Sequence, residues 1–470
     1  MNKRSLIYIA LVSALLAGCS MGPAYERPAA ELPEAWLALP AQGKTMPAER
    51  WWTVYGDATL DHLVTEALAG NQDLALATAR LDEARALARI ADAEQAPSVD
   101  AAFQRDRSRR SNSTATRFPG ALENNNYRAQ LNVAYEIDLW GRLSNSSKAA
   151  RAELLATTAA RETVRIALTA EVARSYYALV SFDAQIAATR RSLELRQQDF
   201  RLQRTRADAG LINEFTLRQL EAEVLAAQAQ LPALERRRTG EELALGVLLG
   251  RSPRALINDS VTRTAETGQP ATPVIPADLP SSLLLRRPDV VAAEQQLIAA
   301  NARIGAARAA LFPRIGLSGY LGSESAALTD LFTGPAGIWS IGFALAQPIF
   351  QGGRLFGEIE AVEARERQAL AQYQKTLQTA FRETHDALVA QTKAREVFDA
   401  ETARAVALNE SLRLARVRYD NGLTSQLEVL DAERNLLNAE LNRADALRAQ
   451  RAAVADVVRA LGGGWEGLQL

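Results

Sequence analysis

The chain of 470 residues holds one cysteine, two histidines and three methionines. One thiol excludes an intramolecular disulfide, and so few soft ligands leave no zinc-spaced cluster and no metal relay. There is no Gly-rich phosphate loop. His62 and His385 both fall in helical stretches, so nothing points to an enzyme, a metal or a cofactor. A net charge of −1 lacks the basic excess that nucleic-acid binding needs. Beyond the first segment no apolar run approaches the ~20 residues of a transmembrane helix, so a membrane crossing must use strands. Proline and glycine are absent from 143–208 and again from 358–421. Stretches that long without a breaker predict helices on the order of 100 Å, too long for a compact globule.

What the chain does have is repetition. Trp140-Gly141-Arg142-Leu143 returns as Gly352-Gly353-Arg354-Leu355, Gly210-Leu211 as Gly422-Leu423, and Leu249-Gly250 as Leu461-Gly462. Each pair is 212 residues apart (142 to 354, 210 to 422, 250 to 462). Each half reads as a strand hairpin, a very long helix, a short break and a returning helix. In the last helix Leu430, Leu437, Leu441, Ala444 and Leu447 keep a coiled-coil-like seam.

The clearest strand pattern covers 127–139. Tyr127, Ala129, Leu131, Val133, Tyr135, Ile137 and Leu139 alternate with Arg128, Gln130, Asn132, Glu136 and Asp138. A tilted membrane strand of ~9–11 residues has this apolar outer face and polar lumen. The counterpart is 338–349, and the weaker partners are 97–106 and 313–322. The joining segments, 107–126 and 323–336, read as loops, with Arg105, Arg107, Arg109 and Arg110 making the first one basic. Such a loop fits plain solvation or contact with anionic lipopolysaccharide. Four strands cannot close a barrel, since small ones need about eight, and an open edge in lipid leaves backbone groups unpaired. Several copies must contribute.

At the N-terminus, Lys3 and Arg4 precede an apolar 6–16 stretch and Leu16-Ala17-Gly18-Cys19. This resembles the lipobox of bacterial lipoproteins and predicts cleavage before Cys19 and acylation of its thiol and new amine. Ser20 after it, rather than Asp, favours the outer membrane by analogy with lipoprotein sorting. The chain then divides into a signal peptide 1–18, a lipidated Pro- and Ala-rich tether 19–50, a first repeat 51–250, a linker 251–282 rich in proline, a second repeat 283–463 and a tail 464–470.

Trp51-Trp52-Thr53-Val54-Tyr55-Gly56-Asp57, Gly22-Pro23, Glu136-Ile137-Asp138-Leu139-Trp140-Gly141-Arg142-Leu143 and Leu285-Arg286-Arg287-Pro288-Asp289-Val290 come in the order seen in TolC-type outer-membrane efflux lipoproteins. The whole mature chain resembles that family, in its NodT-like branch. The resemblance implies a mixed α and β membrane protein: a homotrimeric channel-tunnel with a twelve-stranded β-barrel, four strands per chain, in outer-membrane lipid and a long α-helical barrel in the periplasm. It implies a passive exit duct for drugs or other small molecules, joined to a periplasmic adaptor (a membrane fusion protein) and an inner-membrane resistance-nodulation-division transporter. The exit of a type I protein secretion system and a lipid-anchored coiled-coil spacer without a pore are the alternatives.

Gly210-Leu211 and Gly422-Leu423 are expected at tight helix turns, where the resemblance places the periplasmic tips and adaptor contacts. Glu428 and Asp431 lie three apart on one helix face, as do the acidic residues that ring the entrance in TolC relatives. The same spacing fits a solvated face pairing with Arg434. Arg418 and Tyr419 precede the second tip, where the family uses a tyrosine to link helices in the closed state. In the first repeat the turn is read at Asn213, Glu214 and Thr216, with two extra residues before Glu221, so its gate partners stay open. Arg286-Arg287-Pro288-Asp289 reads as scaffolding at a helix start.

Overall fold

A computed structural model describes residues 21–30, 33, 50–111, 113, 122–265, 270–274 and 281–463. The expected signal peptide 1–18, Cys19, most of the expected tether and the 464–470 tail lie outside these. The elements are α1 (Ala58–Gly70), α2 (Gln72–Ala93), β1 (Ser98–Arg109), β2 (Glu123–Ile137), α3 (Arg142–Asp208), α4 (Glu214–Leu248), α5 (Pro253–Asn258), α6 (Pro288–Ala309), β3 (Arg314–Ser325), β4 (Gly337–Ala346), α7 (Arg354–Asp420) and α8 (Gln426–Ala460).

The repeat is kept at the level of element lengths. Helices α3 and α7 both have 67 residues, α4 and α8 both 35, and α2 and α6 both 22. The two tip turns are equally long, so the two extra residues expected before Glu221 are not there. Thr216 and Gln219 occupy the places of Glu428 and Asp431.

One compact unit takes 80–157 and 292–374, with the described N-terminal residues 21–29. Its sheet is antiparallel in the order β1-β2-β3-β4. Strand β2 runs further toward the loop than its alternation suggested, beginning at Glu123, and β1 continues to Arg109. Arg105, Arg107 and Arg109 are therefore strand residues, not loop residues. The reason is pairing: Arg107 faces Asn125 and Arg109 faces Glu123 in register. Strand β4 stops at Ala346, two residues before Pro348, which has no ladder donor.

The passage from β2 into α3 is fixed by side chains. Asp138 accepts the Leu143 and Ser144 N–H groups at 3.0 and 2.7 Å, satisfying the open helix start. Arg142 binds Glu136 through two hydrogen bonds of 2.9 and 2.8 Å. Trp140 stacks on Phe312 and donates to the Pro313 carbonyl at 2.9 Å. Small residues let α3 and α6 approach, with Ala149, Ala152 and Ala299 buried together. The described residues near the N-terminus are held in place: Arg27 grips buried Glu294 with two bonds of 2.6 Å, and Gly22 lies against Gly305.

The other unit takes 50–79, 158–291 and 375–463 among the described residues. Trp51, Trp52 and Tyr55 form a buried 3-10 turn. Trp51 donates to Thr169 at 3.1 Å and Tyr55 to the Arg451 carbonyl at 2.6 Å. Asp57 caps α1 and accepts the Tyr176 hydroxyl at 2.6 Å. Burial, with that hydrogen bond, pushes the Tyr176 phenol up to about 12. Arg287 is scaffolding, as its motif suggested. It donates to the Ala460 carbonyl at 2.6 Å and pairs with Asp289 and Glu383. Burial works against its charge, yet those two acids hold its pKa above the ordinary value.

Capping and ion pairs fix the described part of the proline-rich linker. Ser252 starts α5 with Pro253 in its first turn. Arg263 then pairs with Asp183 and, at 2.9 Å, with Glu242, which also accepts the Val261 N–H. Burial tends to raise the Glu242 carboxyl, but the Val261 N–H and Arg263 hold it below its ordinary value.

Candidate functional site

The sheet sorts its residues by face. Register places Val99, Ala101 and Phe103 beside Val133, Leu131 and Ala129, then Leu321 beside Trp339 and Leu317 beside Phe343. This face is open to the surroundings: Phe103 is 63% exposed, Trp339 73% and Ile341 82%. The opposite face carries Asp100, Gln104, Gln130, Asn132, Arg128 and Glu324, with Arg128 over the Tyr320 ring at 4.7 Å. An apolar face this bare in water is unfavourable, and in lipid it is the expected outside of a barrel. From Tyr127 to Ile137 the strand, at ~3.3 Å per residue and tilted by ~40°, climbs about 25 Å, the height of an outer-membrane apolar band. Strands β1 and β4 each leave one edge unpaired within the chain. Among the described residues no helix is long and apolar enough to cross a membrane.

The tips are built alike. At the end of α3 the Leu211 N–H reaches the Arg206 carbonyl at 2.8 Å and the Gly210 N–H the Ala207 carbonyl at 2.9 Å. At the end of α7 Leu423 reaches Arg418 and Gly422 reaches Tyr419 over the same distances. Both glycines are left-handed, with φ +71° and +69°, as a helix stop of this kind requires. Each turn presents two bare apolar side chains at matching places, Leu211 with Phe215 and Leu423 with Leu427. The turns differ in their caps: Asn213 accepts the Thr216 N–H at 2.9 Å, whereas Ser425 makes no side-chain cap.

Around the second tip the residues expected there are all paired. Glu428 lies 3.7 Å from Arg418, and Asp431 lies 2.5 Å from Arg434. The Arg434 guanidinium is also 4.0 Å from Glu223 on α4. The Tyr419 hydroxyl accepts from Gln203 at 2.9 Å and Arg206 at 3.2 Å, both on α3. Its ring packs on the small cluster of Leu412, Val429 and Ala432.

Sequence reasoning missed the deeper half of this network. Glu433, 6% exposed, takes Arg416 at 2.7 Å, and Arg196, 5% exposed, takes Glu223 at 2.8 Å. Asp199 is pushed up by burial against the opposing pull of Arg416. One signal was available: Arg416 and Glu433 repeat Arg204 and Glu221 at the 212-residue offset (204 to 416, 221 to 433). Among the described residues no group of three or more His, Cys, Asp or Glu side chains is placed to hold a metal.

A family model described as outer membrane efflux protein matches residues 63–251 and 279–463. Outer membrane protein OprJ of Pseudomonas aeruginosa is 36% identical, over 97% of this chain and 95% of its own. The solvent efflux pump outer membrane protein SrpC of Pseudomonas putida is 34% identical, over 99% of each. Among solved structures, the CmeC outer membrane channel of Campylobacter jejuni superposes with a TM-score of 0.88 at 26% identity, covering 96% of each chain.

Proposed function

The chain belongs to the outer membrane efflux protein family, and on that premise we propose that it is the passive exit duct of a tripartite pump, working as a homotrimer. The observation that carries this reading is the sheet, with four strands, one lipid-compatible face, one polar face and two open edges. A sheet with bare edges has no stable place in lipid, and three copies joined edge to edge close it into twelve strands around a polar lumen. The duct performs no chemistry. Its work is to open, with the driving energy supplied by a periplasmic adaptor and a proton-driven transporter of the resistance-nodulation-division type.

The exposed apolar pairs at the two tips, Leu211 with Phe215 after Gly210 and Leu423 with Leu427 after Gly422, suit contact with the adaptor. Apolar side chains held on rigid glycine turns bury readily against a partner without reshaping the helices. Glu428 and Asp431 suit a cation-favouring constriction. Their pairing with Arg418 and Arg434 lowers the cost of crowding carboxylates from several copies at one level. Tyr419, tied to Gln203 and Arg206, is the latch that holds one repeat's tip to the other's.

The proposal extends to a lipid anchor on Cys19, and the position of the described residues that follow supports it. Cys19 is three residues before Gly22, a reach of about 10 Å, and Gly22 rests on Gly305 beside Asn145 in the first turn of α3. On the barrel reading that is the level at which β2 would leave the membrane, so an acyl group on Cys19 would meet the inner leaflet.

The reading is tested by single-channel conductance of the purified protein in planar bilayers, with cross-linking to count copies. A trimer with steady conductance is expected. Monomers without conductance would favour the coiled-coil spacer instead. A susceptibility profile of a deletion strain then identifies the exported compounds.

A further inference from the structure

Above its apolar band, strand β1 keeps its outward face but changes its chemistry. Val99, Ala101 and Phe103 are followed on that face by Arg105, Arg107 and Arg109, all exposed. Successive members are about 6.7 Å apart, two residues of strand. The chain enters its helices from the other end of the sheet, at Ile137 and Ala346, so the arginines stand at the outer rim. Arg110 continues the basic run along the chain. Glu123 meets Arg107 at 2.8 Å, and Arg105 lies over the Tyr127 ring, 5.6 Å from its centre. A charge on the lipid face is costly at mid-depth and cheap at the interface, so three in a row mark the headgroup level.

Directly below them the sheet surface dips. Ala101, Phe103, Ala129, Leu131 and Leu321, with Gln130, Ser323 and, from the β3–β4 connection, Phe332, line a shallow, open depression of about 470 Å³. A shallow, mostly apolar dip under a row of guanidinium groups matches a lipid with acyl chains below and phosphates above. Arginine binds phosphate oxygens through paired N–H donors, whereas zwitterionic headgroups offer no net charge to attract it.

We propose that Arg105, Arg107 and Arg109 with the Phe103–Leu321 hollow form a docking site for the phosphorylated glycolipid of the outer leaflet, lipid A. This rests on the barrel reading, and its occupant is chosen by charge and position. The outer rim faces the outer leaflet, where lipid A carries two phosphates on one headgroup and so engages more than one rung of the ladder. The site locks the rim of the barrel to the bilayer and fixes its depth.

The test uses the full-length trimer in nanodiscs titrated with lipid A, with dephosphorylated lipid A and with phosphatidylglycerol. Wild type is expected to bind lipid A at least tenfold more tightly than either control. The triple variant Arg105→Gln/Arg107→Gln/Arg109→Gln should lose that preference while keeping single-channel conductance, which tests the channel separately. Should the triple variant fail to assemble, Arg109→Gln alone is read for a loss of about threefold, and Arg107→Lys for partial retention. Unchanged lipid A binding in the variants would overturn the site. Equal binding of phosphatidylglycerol would overturn lipid A as the occupant.

Discussion

The Tyr419 hydroxyl sits 2.9 Å from the Gln203 side-chain amide, and so the end of α7 is tied to the end of α3 by a single side-chain oxygen. Arg206 donates to the same oxygen at 3.2 Å. Removing that oxygen leaves the ring packed on Leu412 and Val429 and deletes only the tie. We predict that Tyr419→Phe raises the open fraction of the channel about thirtyfold, the equivalent of two hydrogen bonds of ~1 kcal/mol each. Single-channel recordings at fixed voltage measure it; an unchanged open fraction would remove Tyr419 from the gate.

Glu428 and Asp431 are exposed and paired, so their effect on stability should be small, in the range of ~0–1 kcal/mol for surface pairs. Their effect on ions should be larger. The double variant Glu428→Ala/Asp431→Ala is expected to lower the cation preference of the conductance with little change in trimer melting. Reversal potentials in a salt gradient read the preference directly.

Gly210 and Gly422 are left-handed with open space where a Cβ would stand. A substitution there meets no neighbour, so its cost is purely conformational, about 1–2 kcal/mol for an L residue. Gly422→Ala should accelerate amide exchange in the last turns of α7 and first turns of α8 while leaving the barrel unchanged. Gly240, inside α4 and equally uncrowded, is the control: Gly240→Ala should slow exchange locally.

The linker contact is predicted to be pH-dependent. The carboxyl of Glu242 is held below its ordinary value in the folded chain by the Val261 N–H and Arg263. A depressed carboxyl contributes stability that is complete above its unfolded value and is lost as pH falls through the folded one. Protease nicking of the linker near Val261 should therefore be slow at neutral pH and increase as pH drops below the usual glutamate range. Glu242→Gln should nick at every pH at the acidic rate; a parallel pH profile for the two proteins would refute the assignment.

Periodicity carried most of the architecture. Period-two alternation marked β2 and the breaker-free stretches marked α3 and α7, because each pattern follows from which face must be covered. The strand ends were less legible. Arg107 and Arg109 look like loop residues in one dimension, and only their ladder to Asn125 and Glu123 makes them strand. The tip glycines were readable because a left-handed helix stop nearly demands glycine. Glu433 with Arg416 and Arg196 with Glu223 were not, since a buried ion pair and a solvated one look alike in a coiled-coil sequence.

The unpaired edges of β1 and β4 also dictate an order of events in the life of the chain. A lone copy has no place in the bilayer, because lipid rejects every bare amide and carbonyl along both seams. Ring closure must then precede or accompany insertion, and it is steep in local concentration. The bilayer acts as inspector, since a ring missing one member keeps two raw seams and stays outside. A copy with a spoiled β1 edge would therefore disable the partners it joins, and the defect would be dominant in a cell that also makes the intact chain.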